Sequence, residues 1–376
     1  MIQISSSFDA GNIDVLDASD PQDIRLDIRT DNGSDFYQWF YFRLTGAKGV
    51  SCRLRLMNAG GAAYTKGWPG YRAVASTDRE SWFRLDTDYQ DGVLDIHLVP
   101  EADAIWIAYF APYSMERHGD LIAQAQLSDR ASLSVLGKTL DGQDIDLLRI
   151  SDGSDGPKKK CWITARQHPG ESMAEWCAEG LIWRLLDEAD PVSRELLKRT
   201  EFYIVPNMNP DGSRRGHLRT NACGANLNRE WENPTMERSP EVYLVREKMR
   251  ETGVDFAMDM HGDEALPYNF IAGAEGTPNW SNARARQLAD YLEALKLASP
   301  DFQTEHGYPP SAPGTANMTM ATNWIAQEFT CLSMTLEMPF KDTVDTPDDE
   351  YGWSPERAAA LGRACLDALW ARIDDI

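Results

Sequence analysis

The sequence lacks the marks of several protein classes. No stretch approaches the ~18 consecutive apolar residues of a membrane-spanning helix, and its opening residues, MIQISSSFDAGNIDVLD, carry neither a basic segment nor the apolar run of a secretory signal. The six cysteines (Cys52, Cys161, Cys177, Cys223, Cys331 and Cys365) form no CxxC pair, which argues against a disulfide framework and against a zinc ribbon. Reduced, mostly buried thiols in a cytoplasmic protein are the expectation. Positive charge is also scarce: 37 Lys and Arg stand against 59 Asp and Glu, a formal net charge of −22. A field of that sign repels nucleic acid and anionic membrane surfaces, so neither is an expected partner. Histidine is rarer still, six in 376 residues, which makes the setting of each one informative.

What is present describes a folded chain. Apolar residues make up 42% and aromatics 10%, well above the profile of disordered sequences. A length of 376 residues favours two domains over one. From about Phe36 to Tyr113, short aromatic and β-branched runs are separated by the turn signals Gly60-Gly61 and Asp91-Gly92, with Asp31-Asn32-Gly33 just ahead. Cys52, Leu54 and Leu56 alternate with Arg53 and Arg55, the period of a strand with one face inward. Residues 1–120 are therefore expected to form an N-terminal antiparallel β-sandwich domain.

Beyond the loop Asp152-Gly153-Ser154-Asp155-Gly156-Pro157, strands alternate with long helical patterns, which predicts an α/β fold with a mixed, mostly parallel sheet over residues 121–376. Four apolar runs read as buried strands: Cys161–Ala165, Phe202–Val205, Val254–Met260 and Leu332–Met338. Helices are predicted to start at Asp190-Pro191, Ser239-Pro240 and Ser354-Pro355, each an N-cap oxygen followed by proline. Ala358, Leu361, Cys365, Leu366 and Leu369 give the last helix its apolar face.

Chemistry concentrates at the ends of the predicted strands. His168 and Glu171, three positions apart just past the first of them, can together reach one Zn²⁺ and leave room for a third ligand and a water. HxxE alone is common. His261, in Asp259-Met260-His261-Gly262 at the end of another apolar strand, offers the third ligand, where open α/β sheets place their sites. His97, His118, His217 and His306 have no comparable setting.

The succession HPGES, NPDG (Asn209–Gly212), LNREW (Leu227–Trp231), DMHG and TLEM (Thr335–Met338) resembles zinc carboxypeptidases of the funnelin type, in particular their cytosolic carboxypeptidase branch. WFYFRL (Trp39–Leu44) and AYFAPYS (Ala108–Ser114) are similar to the β-sandwich that precedes the catalytic domain in that branch. The resemblance implies one Zn²⁺ per chain on His168, Glu171 and His261. It also implies Glu337 as the general base that deprotonates a zinc-activated water, and a peptide or protein C-terminal tail as substrate. Asn228 and Arg229 would hold the terminal carboxylate, a task suited to a planar guanidinium. Arg219 would stabilise the developing oxyanion. The activity implied is hydrolysis of a C-terminal peptide or isopeptide bond with release of one amino acid. An N-acyl amino acid deacylase or amidase on the same scaffold would not need Asn228 and Arg229. A zinc-dependent peptide-recognition module without turnover would not need Glu337.

Three departures from the family pattern stand out. Asn226 occupies the position, two before the Asn-Arg pair, where the family has an aspartate that orients a zinc-bound histidine. No Lys or Arg occurs between Lys296 and Lys341, so the expected pocket for the released residue is polar or apolar, drawn from the run Asn317–Asn323. The family's leaving-group phenol has no motif-level match; Tyr268 and Tyr308 are the candidates. Arg166, Arg214, Arg215, Arg219 and Arg229 are expected to form a local basic cluster able to attract an acidic peptide.

Overall fold

The computed structural model describes residues 2–376. Two five-stranded sheets pack as a sandwich. One has the order Gln3–Ser5, Tyr41–Thr45, Ala104–Ala108, Val74–Ser76, Phe83–Arg84; the other has Asp14–Asp17, Ile24–Asp27, Cys52–Leu56, Val93–Leu98, Asp86–Gln90. Cys52, Leu54 and Leu56 point into the core, while Arg53 and Arg55 turn outward and both pair with Asp95. Asp91 and Gly92, both at positive φ, form the two-residue hairpin between the last two strands of the second sheet. Pairing is antiparallel throughout except between Ile24–Asp27 and Cys52–Leu56, which run parallel. Gly60-Gly61 lies in a short 3₁₀ turn rather than a hairpin.

A helix, Met115–Ala125, leads out of the sandwich, so residue 120 lies within it. The larger sheet has seven strands in the order Ala131–Lys138, Asp144–Ile150, Thr200–Val205, Lys159–Ala165, Phe256–Asp263, Leu332–Pro339, Phe270–Ala272. The central four are parallel and the outer ones antiparallel. Three of the central strands are buried along their whole length, which is why their sequences read as continuous apolar runs.

Helices cover both faces of this sheet. Pro191–Leu197 and Pro355–Arg372 begin where the Asp-Pro and Ser-Pro signals fall, with Asp190 and Ser354 accepting hydrogen bonds from the backbone N–H groups of Ser193 and Arg357. Pro240–Thr252 also begins at its proline, but Ser239 makes no side-chain cap. On one sheet face, Trp162, Tyr203, Trp231, Val242 and Trp324 form a separate core. On the other, helices Met173–Leu186 and Pro355–Arg372 pack into a core continuous with that of the sandwich. Five cysteines are buried; Cys223 is exposed, on a loop whose carbonyl an added Cβ at Gly33 of the sandwich would approach to 3.0 Å. Among the described residues no helix is long and apolar enough to cross a membrane.

Candidate active site

The chain leaves the strand Lys159–Ala165, crosses to Thr200–Val205 on one side, then to Phe256–Asp263 on the other. Reversals of this kind open a crevice at the carboxyl ends of the strands, and the site lies there. Arg166, directly after the first strand, has φ +59, a conformation that is strained for a non-glycine residue. It is held there by bonds from its guanidinium to Pro169 O (2.9 Å), Tyr113 O (2.7 Å) and Glu175 (2.8 Å). The resulting kink delivers His168 and Glu171 to the crevice. His261 and Glu337 are register partners on adjacent parallel strands and so stand side by side. Gly262 has no side chain for a steric reason: a Cβ there would meet Met173 Sδ at 2.6 Å and Glu171 Cγ at 3.3 Å.

His168, Glu171 and His261 come together, with their candidate ligand atoms all within 4.8 Å of one another. His168 Nδ1 lies 2.7 Å from Glu171 Oε1, His261 Nδ1 lies 2.7 Å from Glu171 Oε2, and the two Nδ1 atoms are 3.2 Å apart. The outer nitrogens are held separately: His168 Nε2 is 3.0 Å from Asn226 Oδ1, and His261 Nε2 is 2.7 Å from Asp259 Oδ2. An Nε2–H donated to each of these oxygens leaves an Nδ1 lone pair on each ring facing a carboxylate. Positive charge is what such a cluster lacks, so the residues fit a metal cation.

Burial and close charges compete in setting the titration of these groups. Burial, then the Arg219 charge, pulls His168 down to about 4. Burial disfavours a charge on His261, yet Asp259 and Glu171 on either side raise it well above its ordinary value. Glu337 is 7% exposed and its Oε2 has no hydrogen-bond partner; burial pushes its carboxyl well above the usual range. A cation beside it would draw that value back down.

These groups line one cavity of about 530 Å³, together with Arg219, Asn228 and Arg229. Asn228 Oδ1 accepts from the Ala321 N–H at 2.9 Å, and Arg229 is partly buried with Nη1 bonded to Asn228 O at 2.6 Å. Arg219 Nη1 lies 4.0 Å from Glu171 Oε1. Tyr308 lines the same cavity and donates its hydroxyl to Asp263, whereas Tyr268 stacks on His306 outside it. Of the neutral run Asn317–Asn323, Met320 alone lines the cavity; Thr322 is buried with its hydroxyl 2.6 Å from that of Thr335.

The expected arginine cluster divides. Only Arg219 and Arg229 reach the cavity. Arg166 is buried in its pair with Glu175, and Arg215 pairs with Asp141 on the outside. With Lys66, the cavity has three cations against the carboxylates of Glu171, Asp263, Glu264 and Glu337, so it is not a basic patch. Sequence reasoning also missed the wall Ala63–Lys66, supplied by the sandwich, and the run of bonds from His261 through Asp259 and Gln167 to Trp231. Asp259, two residues before His261 on a strand and therefore on the same face, carried a signal that could have been read.

A two-part fold, with a sandwich against a helix-covered mixed sheet and a His-Glu-His cluster at the strand ends, defines a metallopeptidase-like protein. Residues 4–110 match the cytosolic carboxypeptidase N-terminal domain and residues 121–359 match the zinc carboxypeptidase family, to which the chain belongs. A solved metallo-carboxypeptidase from Burkholderia cenocepacia is 50% identical, with a TM-score of 0.98 and 100% of each chain covered. A Pseudomonas aeruginosa metallo-carboxypeptidase, solved in complex with (2-guanidinoethylmercapto)succinic acid, is 46% identical with a TM-score of 0.97, and the match covers 99% of each chain. Cytosolic carboxypeptidase 6 of Caenorhabditis elegans is 27% identical over 97% of this chain and 85% of its own.

Proposed function

We propose that this metallo-carboxypeptidase is zinc-dependent, binds one Zn²⁺ on His168, Glu171 and His261, and cleaves a C-terminal peptide or isopeptide bond to release one amino acid. The observation that carries the reading is the unpartnered Glu337 Oε2, buried beside the His-Glu-His cluster in a cavity that also holds Arg219, Asn228 and Arg229. Lewis acidity, which polarises a carbonyl and makes water acidic near neutral pH, is what zinc supplies there when bound.

The chain's own groups account for the rest. Arg229 and the Asn228 amide bind the free carboxylate of the substrate and so fix which bond is presented. The succinate portion of the compound bound by the Pseudomonas enzyme is suited to the same grip. Arg219 aims N–H donors at the carbonyl oxygen that gains charge. Glu337 takes a proton from the attacking water on Oε2 and passes it to the departing amine, a transfer typically worth a factor of ~10²–10⁴. The absence of Lys and Arg between Lys296 and Lys341, a stretch that sends Met320 into the cavity, supports a polar or apolar released residue. We further propose residue 120 as the division between the sandwich and catalytic domains, and a cytoplasmic location, supported by the names of relatives and by six free thiols.

Incubating the zinc-loaded protein with matched peptides bearing free or amidated C-termini tests the reading. Amino acids released only from free termini, and only before chelation, are expected. Equal cleavage of amidated peptides would favour an amidase.

A further inference from the structure

Arg219 belongs to the catalytic half of the chain but takes its position from the sandwich. Among the described residues, no acceptor lies within hydrogen-bond distance of its guanidinium, and its side chain is only 13% exposed. The groups flanking it are aromatic: its central carbon lies 5.3 Å from the ring centroid of Tyr64 and 5.7 Å from that of Phe36. Beneath the side chain, one sandwich carboxylate gathers the backbone. Asp31, 2% exposed, accepts from the N–H groups of Leu218 (2.6 Å), Arg219 (2.8 Å) and Thr220 (2.9 Å) and from the Thr220 hydroxyl (3.0 Å). The neighbouring His217 is pinned at both nitrogens, with Nε2 accepting from the Asn32 N–H at 3.1 Å and Nδ1 meeting Thr220 O at 2.9 Å.

A long side chain with free donors and no fixed acceptor samples many rotamers unless its surroundings restrict it. Two ring faces attract a guanidinium and limit its swing, and four bonds to one buried carboxylate fix the point from which it projects. We infer that the sandwich is a working part of the active site: Asp31, Phe36 and Tyr64 are positioning residues that hold the Arg219 guanidinium toward the reacting carbonyl. This rests on the carboxypeptidase reading. It goes beyond it in making the N-terminal domain necessary for turnover.

Steady-state kinetics of Phe36→Leu and Tyr64→Leu, each alone and combined with Arg219→Ala, test the inference. One preorganised donor at a developing oxyanion is worth a factor of ~10²–10³, so partial loss of its restraint should lower kcat by about tenfold and leave KM within about twofold. Tyr64→Phe, which retains the ring, should recover what Tyr64→Leu loses. In the Arg219→Ala background neither Leu substitution should lower kcat further. A loss confined to KM, or an equal loss with Arg219 absent, overturns the inference, as does an unchanged kcat in both Leu variants.

Hydrogen exchange of the segment 217–221 provides a readout that needs no activity. Asp31→Asn should speed exchange of the Leu218, Arg219 and Thr220 amides by at least tenfold, and unchanged exchange overturns the clamp. If the wild-type protein releases no amino acid from any peptide, the functional reading fails and takes the catalytic part of this inference with it, while exchange still decides whether the clamp exists.

Discussion

Glu337 and Asn226 show how much a single atom can decide. Glu337→Gln retains shape and a carbonyl oxygen but cannot accept a proton as the carboxylate does. Turnover should fall by a factor of ~10²–10⁴ while zinc content stays at the wild-type level; parallel metal analysis and peptide hydrolysis check this. Asn226 touches His168 Nε2 with a neutral oxygen, whereas His261 has the charged Asp259 in the corresponding place. Restoring charge by Asn226→Asp should tighten zinc binding, by up to about tenfold if outer partners matter here as they do at other sites, and should keep or raise activity. Competition with a chromogenic chelator reads the affinity, and abolished activity would show that the family's aspartate cannot function in this setting. The His-Glu-His cluster was legible because its members occupy short motifs at strand ends. Asp31 was not, since 187 residues separate it from Leu218 and nothing local distinguishes it from an ordinary turn aspartate.

Among the elements, the sequence was most transparent where burial is uniform. The four apolar runs became the four parallel strands, and each X-Pro signal opened a helix, because proline at the first turn removes a donor that no helix uses there. The strands at the margins of the seven-stranded sheet were harder to see. Ala131–Lys138 is largely exposed or half-buried and so shows no apolar run. The helix Met115–Ala125 was hidden because only His118, Leu121, Ile122 and Ala125 of its eleven residues are buried, and one of those four is ionisable. His118, on that helix, sits between Glu175 on helix Met173–Leu186 and Asp146 on strand Asp144–Ile150, at 2.6 and 3.1 Å. Burial opposes its charge, but Asp146 and Glu175 raise its pKa to about 9. Since that lies above the ordinary value of 6.5, the stabilisation is complete below pH 6.5 and is lost as pH rises through about 9. His118→Ala should cost about 3 kcal/mol at pH 7, the low end for a broken buried pair because Arg166 still faces Glu175. Urea titrations at pH 7 and pH 10 should show the difference between variant and wild type shrinking at the higher pH.

At the scale of the whole molecule, the two halves share one apolar core and one cavity. Trp39, Phe40, Tyr109 and Phe340 belong to the same buried cluster, and Tyr109 stacks on Phe340 at 4.5 Å between centroids. Arg84 of the sandwich sends its guanidinium to the carbonyls of Phe340 and Trp353 on the catalytic side. A chain beginning at residue 121 would expose that surface to water and leave those carbonyls without their donor. It should therefore be insoluble or molten, with near-ultraviolet circular dichroism lost, and the intact protein should unfold in a single thermal transition. Two separate transitions in calorimetry would contradict this. The net charge of −22 belongs to the exterior; inside the cavity, opposite charges are nearly matched, so recognition there depends on placement more than on overall field.

The lone exposed thiol gives this seam a handle. Burial raises the pKa of Cys52, Cys161, Cys177, Cys331 and Cys365 and slows their reaction with thiol reagents, so a maleimide dye added to the native protein should label Cys223 alone. A fluorophore there would rest against the Asn32-Gly33 turn, three residues from Asn226. Its emission would then follow, in real time, any parting of the two halves as a peptide enters or leaves.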